Sequence, residues 1–133
     1  VQLELEDLAR KAVDCGYKLH REIGPGLLES VYEVLMAEIL REAGLSVERQ
    51  VIIPIKYKGI VIDNAFRADI IVKQKLLLEL KSTELMVPVH GKQVLTYLRL
   101  MDLPLGLLMN FGQETYRDGV RRIANRYFAP HER

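Results

Sequence analysis

The stretch Ala68-Asp-Ile-Ile-Val-Lys-Gln-Lys-Leu-Leu-Leu-Glu-Leu-Lys81 constrains this chain more than any other. Two apolar runs, Ala68 to Val72 and Leu76 to Lys81, flank the polar Lys73-Gln74-Lys75. Apolar runs this dense and this short read as buried strands, and the polar triplet supplies a tight antiparallel turn. Side chains alternate along a strand, so Glu79 and Lys81 share one face while Leu78 and Leu80 point into the core. Asp69 and Glu79 lie equally far on either side of Gln74, so the hairpin makes them near cross-strand neighbours. Two carboxylates in an apolar sheet repel each other, and each is costly to desolvate unless paired. A hard cation such as Mg²⁺ resolves both problems, because it takes oxygen ligands, needs only one or two carboxylates and leaves room for water and phosphate. Lys81 then stands beside the cation, placed for a phosphate or a water. The competing reading makes Glu79 and Lys81 the solvated end of a strand and Asp69 a polar strand start; the spacing leaves both open.

The rest of the chain supplies the frame. Leu5, Leu8, Ala12, Cys15 and Leu19 repeat at helical spacing and predict a helix over 5–22. Ile23-Gly-Pro-Gly26 breaks it. A second helix is expected over 27–43, with Leu28, Val31, Leu35 and Ile39 on its apolar face and Gly44 as its stop. Val51, Ile53, Ile55 and Tyr57 alternate as in a strand, and Pro54 places that strand at an edge or on a bulge. Lys58-Gly59 is a turn, after which Ile60 to Ile62 resumes extended structure. A helix over 89–101 and a buried strand over 106–111 follow the hairpin; 119–128 fits neither pattern. Helices, extended segments, helix and strand in this order predict an α/β sandwich with a mixed sheet.

Composition excludes several classes. The 133 residues make one ordinary domain, 1–133, with enough chain to bury a core without staples. A hydrophobic share of 49% against 28% charge is that of a globular chain. The formal net charge of +1 means that any nucleic-acid surface is a local patch. The lone Cys15 forms neither an intramolecular disulfide nor a zinc cluster, which favours a reducing, cytoplasmic setting. No run of apolar residues reaches membrane-span length, and Val1 opens no signal-peptide pattern.

Four short motifs, counting Asp69 and Glu79-Leu80-Lys81 separately, carry a family resemblance. Asp69 followed by Glu79-Leu80-Lys81 resembles the D…(E/D)xK signature of the PD-(D/E)XK nuclease superfamily, the restriction-endonuclease-like fold. Gly26-Leu-Leu-Glu29-Ser-Val-Tyr32 is similar to the motif of the GxxExxY proteins. Gln93-Val-Leu-Thr-Tyr97 resembles the QxxxY motif of helicase-associated nucleases in that superfamily. The resemblance spans about Leu5 to Asn125 and implies a restriction-endonuclease-like α/β/α sandwich.

It also implies a chemistry: phosphodiester hydrolysis of nucleic acid, DNA favoured, with Mg²⁺ or Mn²⁺ held by Asp69 and Glu79. Glu29 is implied as a third acidic group at the metal, although a carboxylate in the first turn of a helix also serves the helix dipole. Tyr32, on the same face, is expected to pack with its hydroxyl bonded to a neighbour, with a substrate contact as the weaker expectation. Lys81 would stabilise developing charge, and Gln93 would bond a metal-bound water or a phosphate. His90, Gln93 and Tyr97 share a helix face, His90 being either a helix-start residue or a phosphate contact. Arg117, Arg121, Arg122 and Arg126 form the densest basic cluster; if helical they make i, i+4 pairs, and beside the metal site they would contact phosphate. A non-catalytic nucleic-acid- or protein-binding module, or a buried ion-pair network without metal, would use the same residues differently. The apolar Ile52, Ile53 and Ile55 offer a homodimer edge unless the first helix covers them.

Overall fold

The computed structural model describes residues 2–127. Helices α1 (Gln2–Ile23) and α2 (Glu29–Glu42) precede a hairpin of β1 (Val47–Tyr57) and β2 (Ile60–Val72). Then come β3 (Leu76–Lys81), α3 (Pro88–Met101), β4 (Leu105–Asn110), a 3₁₀ turn (Arg117–Gly119) and β5 (Val120–Ala124). The sheet order is β1-β2-β3-β4-β5. β3 and β4 are parallel and every other pair is antiparallel. A parallel pair needs a crossover, and α3 supplies it on one face of the sheet. α1 and α2 cover the other face. Leu76, Leu78, Leu80 and Ile70 join the α1–α2 core, whereas Leu77, Ile71 and Ala68 join the α3 core. The result is the expected α/β/α sandwich with a mixed sheet.

Several expectations shift. The extended pieces around Ile60–Ile62 and Ala68–Val72 are one strand, with 63–67 joining them. Pro54 does sit at the irregularity between Ile53 and Ile55, on an edge strand. The 119–124 stretch is the turn and strand β5, so Arg121 and Arg122 are strand neighbours rather than members of helical pairs. Phe128 lies outside the described residues.

The largest correction is α2. The expected stripe of Leu28, Val31, Leu35 and Ile39 is not the buried one; Tyr32, Glu33, Met36, Ala37 and Leu40 are. Both stripes have helical spacing and lie side by side, so periodicity does not choose between them. The choice is made by Tyr32, whose ring stacks on Phe111 at 4.6 Å, and by a buried acceptor role for Glu33. No helix among the described residues is long and apolar enough to cross a membrane.

Candidate active site

The hairpin places Asp69 and Glu79 together as its spacing requires. Ladder pairing runs Val72↔Leu76, Ile71↔Leu77, Ile70↔Leu78 and then stops. At the next position the two carboxylates take over the backbone bonding. Asp69 N–H donates to Glu79 Oε2 at 3.0 Å, and Leu80 N–H donates to Asp69 Oδ2 at 2.8 Å. Each side chain thus reaches across to the other strand's backbone.

Electrostatics follow from this placement. Glu79 is buried and Asp69 half-buried. Glu79 is pushed up to about 9, first by burial, then by its hydrogen bond to the Asp69 side chain and by that group's charge. The backbone bond with Asp69 and the charge of Lys81 oppose the shift without overcoming it. At neutral pH burial and the neighbouring carboxyl thus favour one proton shared by the pair, the usual outcome when two carboxyls occupy one buried site. A divalent cation fits in that proton's place, since the donor set is hard oxygen and the backbone bonds occupy only one oxygen of each carboxyl.

Lys81 is half-buried, one position past Leu80, and makes no salt bridge among the described residues. Its backbone is fixed from β4: Phe111 N–H donates to Lys81 O at 2.8 Å. Asn110, fully buried, extends that grip past the strand end. Its Oδ1 accepts from Thr83 N–H and Gly112 N–H, each at 3.0 Å, and its Nδ2 donates to Thr83 O at 2.9 Å. Gly112 is needed there, because a Cβ would lie 2.3 Å from Thr83 N. An Asn closing the apolar run of Leu105 to Met109 was a visible signal for such a buried amide; its partner was not.

Glu29 opens α2 and is exposed. It shares a shallow depression with Leu27, Leu28, Ser30 and Ser82, the residue after Lys81. Ser82 Oγ donates to Leu27 O at 2.5 Å, tying the two segments. Glu29 is thus at the same end of the site, but no three His, Cys, Asp or Glu side chains converge as metal ligands among the described residues. Tyr32 has no exposed surface for a substrate contact. Its hydroxyl donates to Gly24 O at 2.6 Å and accepts from Leu27 N–H at 3.3 Å. It pins the turn that delivers Glu29, a turn in which Gly24 and Gly26 both adopt left-handed φ values of 80° and 105°.

α3 covers the other side. Tyr97 is buried against Phe66 at 4.9 Å, and its phenol is pushed up by burial and then by the negative charge of Glu79 and Asp69. Gln93 is exposed one turn earlier on α3. His90 caps the helix start, its Nδ1 accepting from Val87 N–H at 3.5 Å. The arginines do not join the site. β5 lies two strands from β3. Arg121 bonds Asp118 O and Val120 O, and Arg122 pairs with Glu6 of α1.

A mixed sheet carrying an interlocked acidic pair with a lysine two residues beyond Glu79, between helices on both faces, defines the nuclease-type α/β/α class. The chain belongs to the PD-(D/E)XK nuclease superfamily, whose family model matches residues 6–123. Among solved structures it is similar to SSO0001, known from a crystal structure, at 20% identity and a TM-score of 0.56. That likeness covers 74% of this chain and 50% of the other, so the chain spans about half the length of SSO0001. No curated protein matches the chain.

Proposed function

We propose that the chain is a metal-dependent nuclease of the GxxExxY type that hydrolyses phosphodiester bonds of nucleic acid, DNA in preference. The interlocked Asp69–Glu79 pair carries this reading: two carboxyls held side by side, each with only one oxygen taken by a backbone N–H, offer a hard-oxygen donor set for a cation. Asp69 and Glu79 would hold Mg²⁺ or Mn²⁺, with Glu29 assisting through a water. The bound cation would polarise the phosphoryl group and lower the pKa of an attacking water. Lys81, in no salt bridge among the described residues, would stabilise charge developing on the phosphate. Gln93 would orient a water or phosphate from α3, and Tyr97, near enough to feel the charge of Glu79 and Asp69, would flank the site on that side. The lone thiol Cys15 suits a reducing, cytoplasmic setting.

A paired assembly is the second part of the reading. Ile52 on the edge strand is 48% exposed, and Tyr57, Ile60, Val61 and Ile62 are exposed at the hairpin end. Ile53 is buried in the α3 cluster, so α3 rather than α1 covers that residue. The same apolar surface favours a protein-binding module as the alternative function. Purified protein assayed on branched, single-stranded and duplex substrates, with and without Mn²⁺, separates them. Mn²⁺-dependent cleavage lost in Asp69→Asn supports the nuclease; binding without cleavage supports the module.

A further inference from the structure

The β1–β2 hairpin turns over at one position. On β2, Val72 and Ile70 face the α1–α2 core and Ile71 the α3 core, as alternation demands. Beyond Asp69 the order inverts, and Ala68 and Phe66 face α3. On β1, Val47 packs with the α1–α2 core, while Val51 and Ile53 join the α3 cluster. Pairing runs Arg49↔Ile70 and Val51↔Ala68, with the same register on both sides and no pair between Gln50 and Asp69. Both strands therefore exchange faces together, at the facing but unpaired positions Gln50 and Asp69. The candidate metal-binding aspartate is the pivot.

Gln50 shows how the pivot is held. Its φ is 53°, the left-handed region that side chains other than glycine rarely adopt. Consecutive strand residues normally point to opposite faces. Here Arg49 and Gln50 both reach one carboxylate, Glu33 on α2. Arg49 Nε and Nη2 donate to Glu33 Oε2 at 3.1 and 2.8 Å, and Gln50 Nε2 donates to Oε1 at 2.6 Å. Glu33 is 5% exposed, and both its oxygens are engaged from β1.

We infer that Glu33 is a positioning residue of the candidate active site: by clamping Arg49 and Gln50 it holds the ribbon's face exchange, which turns the Asp69 carboxylate toward Leu80 N–H and Glu79. Without the clamp, Gln50 returns to extended geometry, the ladder closes across Gln50 and Asp69, and Asp69 loses its place opposite Leu80. The functional half of this inference rests on the metal reading of Asp69 and Glu79; the structural half does not.

Two readouts on the whole chain test it: amide hydrogen exchange of the metal-free protein, and Mn²⁺ titration. Gln50→Val, whose β-branch disfavours positive φ, and Glu33→Ala should each accelerate exchange of the Leu80 amide. Amides of the Ile71–Leu77 ladder should stay at parental protection. Mn²⁺ affinity should fall roughly tenfold to a hundredfold, the range for losing a partner that orients a metal ligand. Gln50→Gly, which takes the left-handed conformation freely, should keep Leu80 protected and stay within about threefold of parental affinity, well short of that loss. Should Glu33→Ala fail to fold, the Gln50 pair of variants carries the comparison. Parental Leu80 protection in a folded Glu33→Ala, or in Gln50→Val, overturns the inference. So does lost protection with unchanged Mn²⁺ affinity, which would separate the pivot from the site. A parent that takes up no Mn²⁺ overturns the metal reading instead, and the exchange data still decide whether Glu33 positions Asp69.

Discussion

Replacing Glu79 by glutamine should stabilise the metal-free protein, and only above acidic pH. Glu79 stands near 9 in the fold against an ordinary value of 4.5. The folded state therefore keeps a proton that the unfolded chain releases above pH 4.5. The sign follows: this carboxyl's contribution is fully present below pH 4.5 and is lost progressively as pH rises toward 9. Each unit of pH in that window costs about 1.4 kcal/mol, so the loss by pH 7 is on the order of 3 kcal/mol. Glutamine has no proton to lose, its oxygen can accept from Asp69 N–H, and its amide can donate to the Asp69 side chain. Glu79→Gln should thus match the parent near pH 4.5 and exceed it at pH 7 by a few kcal/mol, on the order of 10 °C in melting temperature for a domain of this size. Thermal melts in chelator from pH 4.5 to 8.5 read this directly. Parallel curves for parent and variant, with no widening gap, would refute the claim that the pair stores a proton.

Other consequences are as specific. Lys81→Ala should retain Mn²⁺ binding yet lose roughly 10²–10³-fold in cleavage rate, the scale for removing one preorganised stabilising group; parental rate would reduce Lys81 to a strand-end solubiliser. Tyr32→Phe removes the hydroxyl that joins Gly24 O to Leu27 N–H, so melts should show a loss of about 1–3 kcal/mol. The same variant should cleave more slowly with unchanged Mn²⁺ affinity, because the turn sets Glu29 and not the Asp69–Glu79 pair. Nucleic-acid binding should weaken steeply with salt and show no sequence preference, since no long basic helix is present among the described residues and the arginines of β5 are engaged within the chain; a flat salt response would contradict this. Light scattering at micromolar concentration should give twice the 15.3 kDa chain mass if the exposed hairpin pairs copies.

What the sequence made legible was local. Asp69, Glu79 and Lys81 sit on one hairpin whose turn and alternation are both written in ten or so residues, so their meeting could be derived. The α1 stripe was equally clear, because its alternative faces are charged. The α2 stripe was not, because Tyr32, Met36 and Leu40 repeat as well as Val31, Leu35 and Ile39 do, and only tertiary partners separate them. The site's supports were hidden for the same reason. Glu33 reads as a surface residue of α2 until Arg49 and Gln50 arrive from β1, and Asn110 reads as a strand end until Thr83 needs its amide. The arginine cluster misled in the opposite way: spaced for a helix, it splits between the 3₁₀ turn at Arg117, the edge strand β5 with Arg121 and Arg122, and Arg126 beyond that strand, and Arg122 serves Glu6.

The most direct test of the central claim is the number of protons released when Mn²⁺ binds, measured by calorimetry at pH 7 in two buffers of different ionisation enthalpy. A carboxyl near 9 must give up its proton to become a ligand, so the parent should bind Mn²⁺ and release about one proton. Asp69→Asn and Glu79→Gln should lose binding. No heat in the parent, or the same affinity and no proton release in parent and both variants, would contradict the assignment of Asp69 and Glu79 as the metal-binding pair.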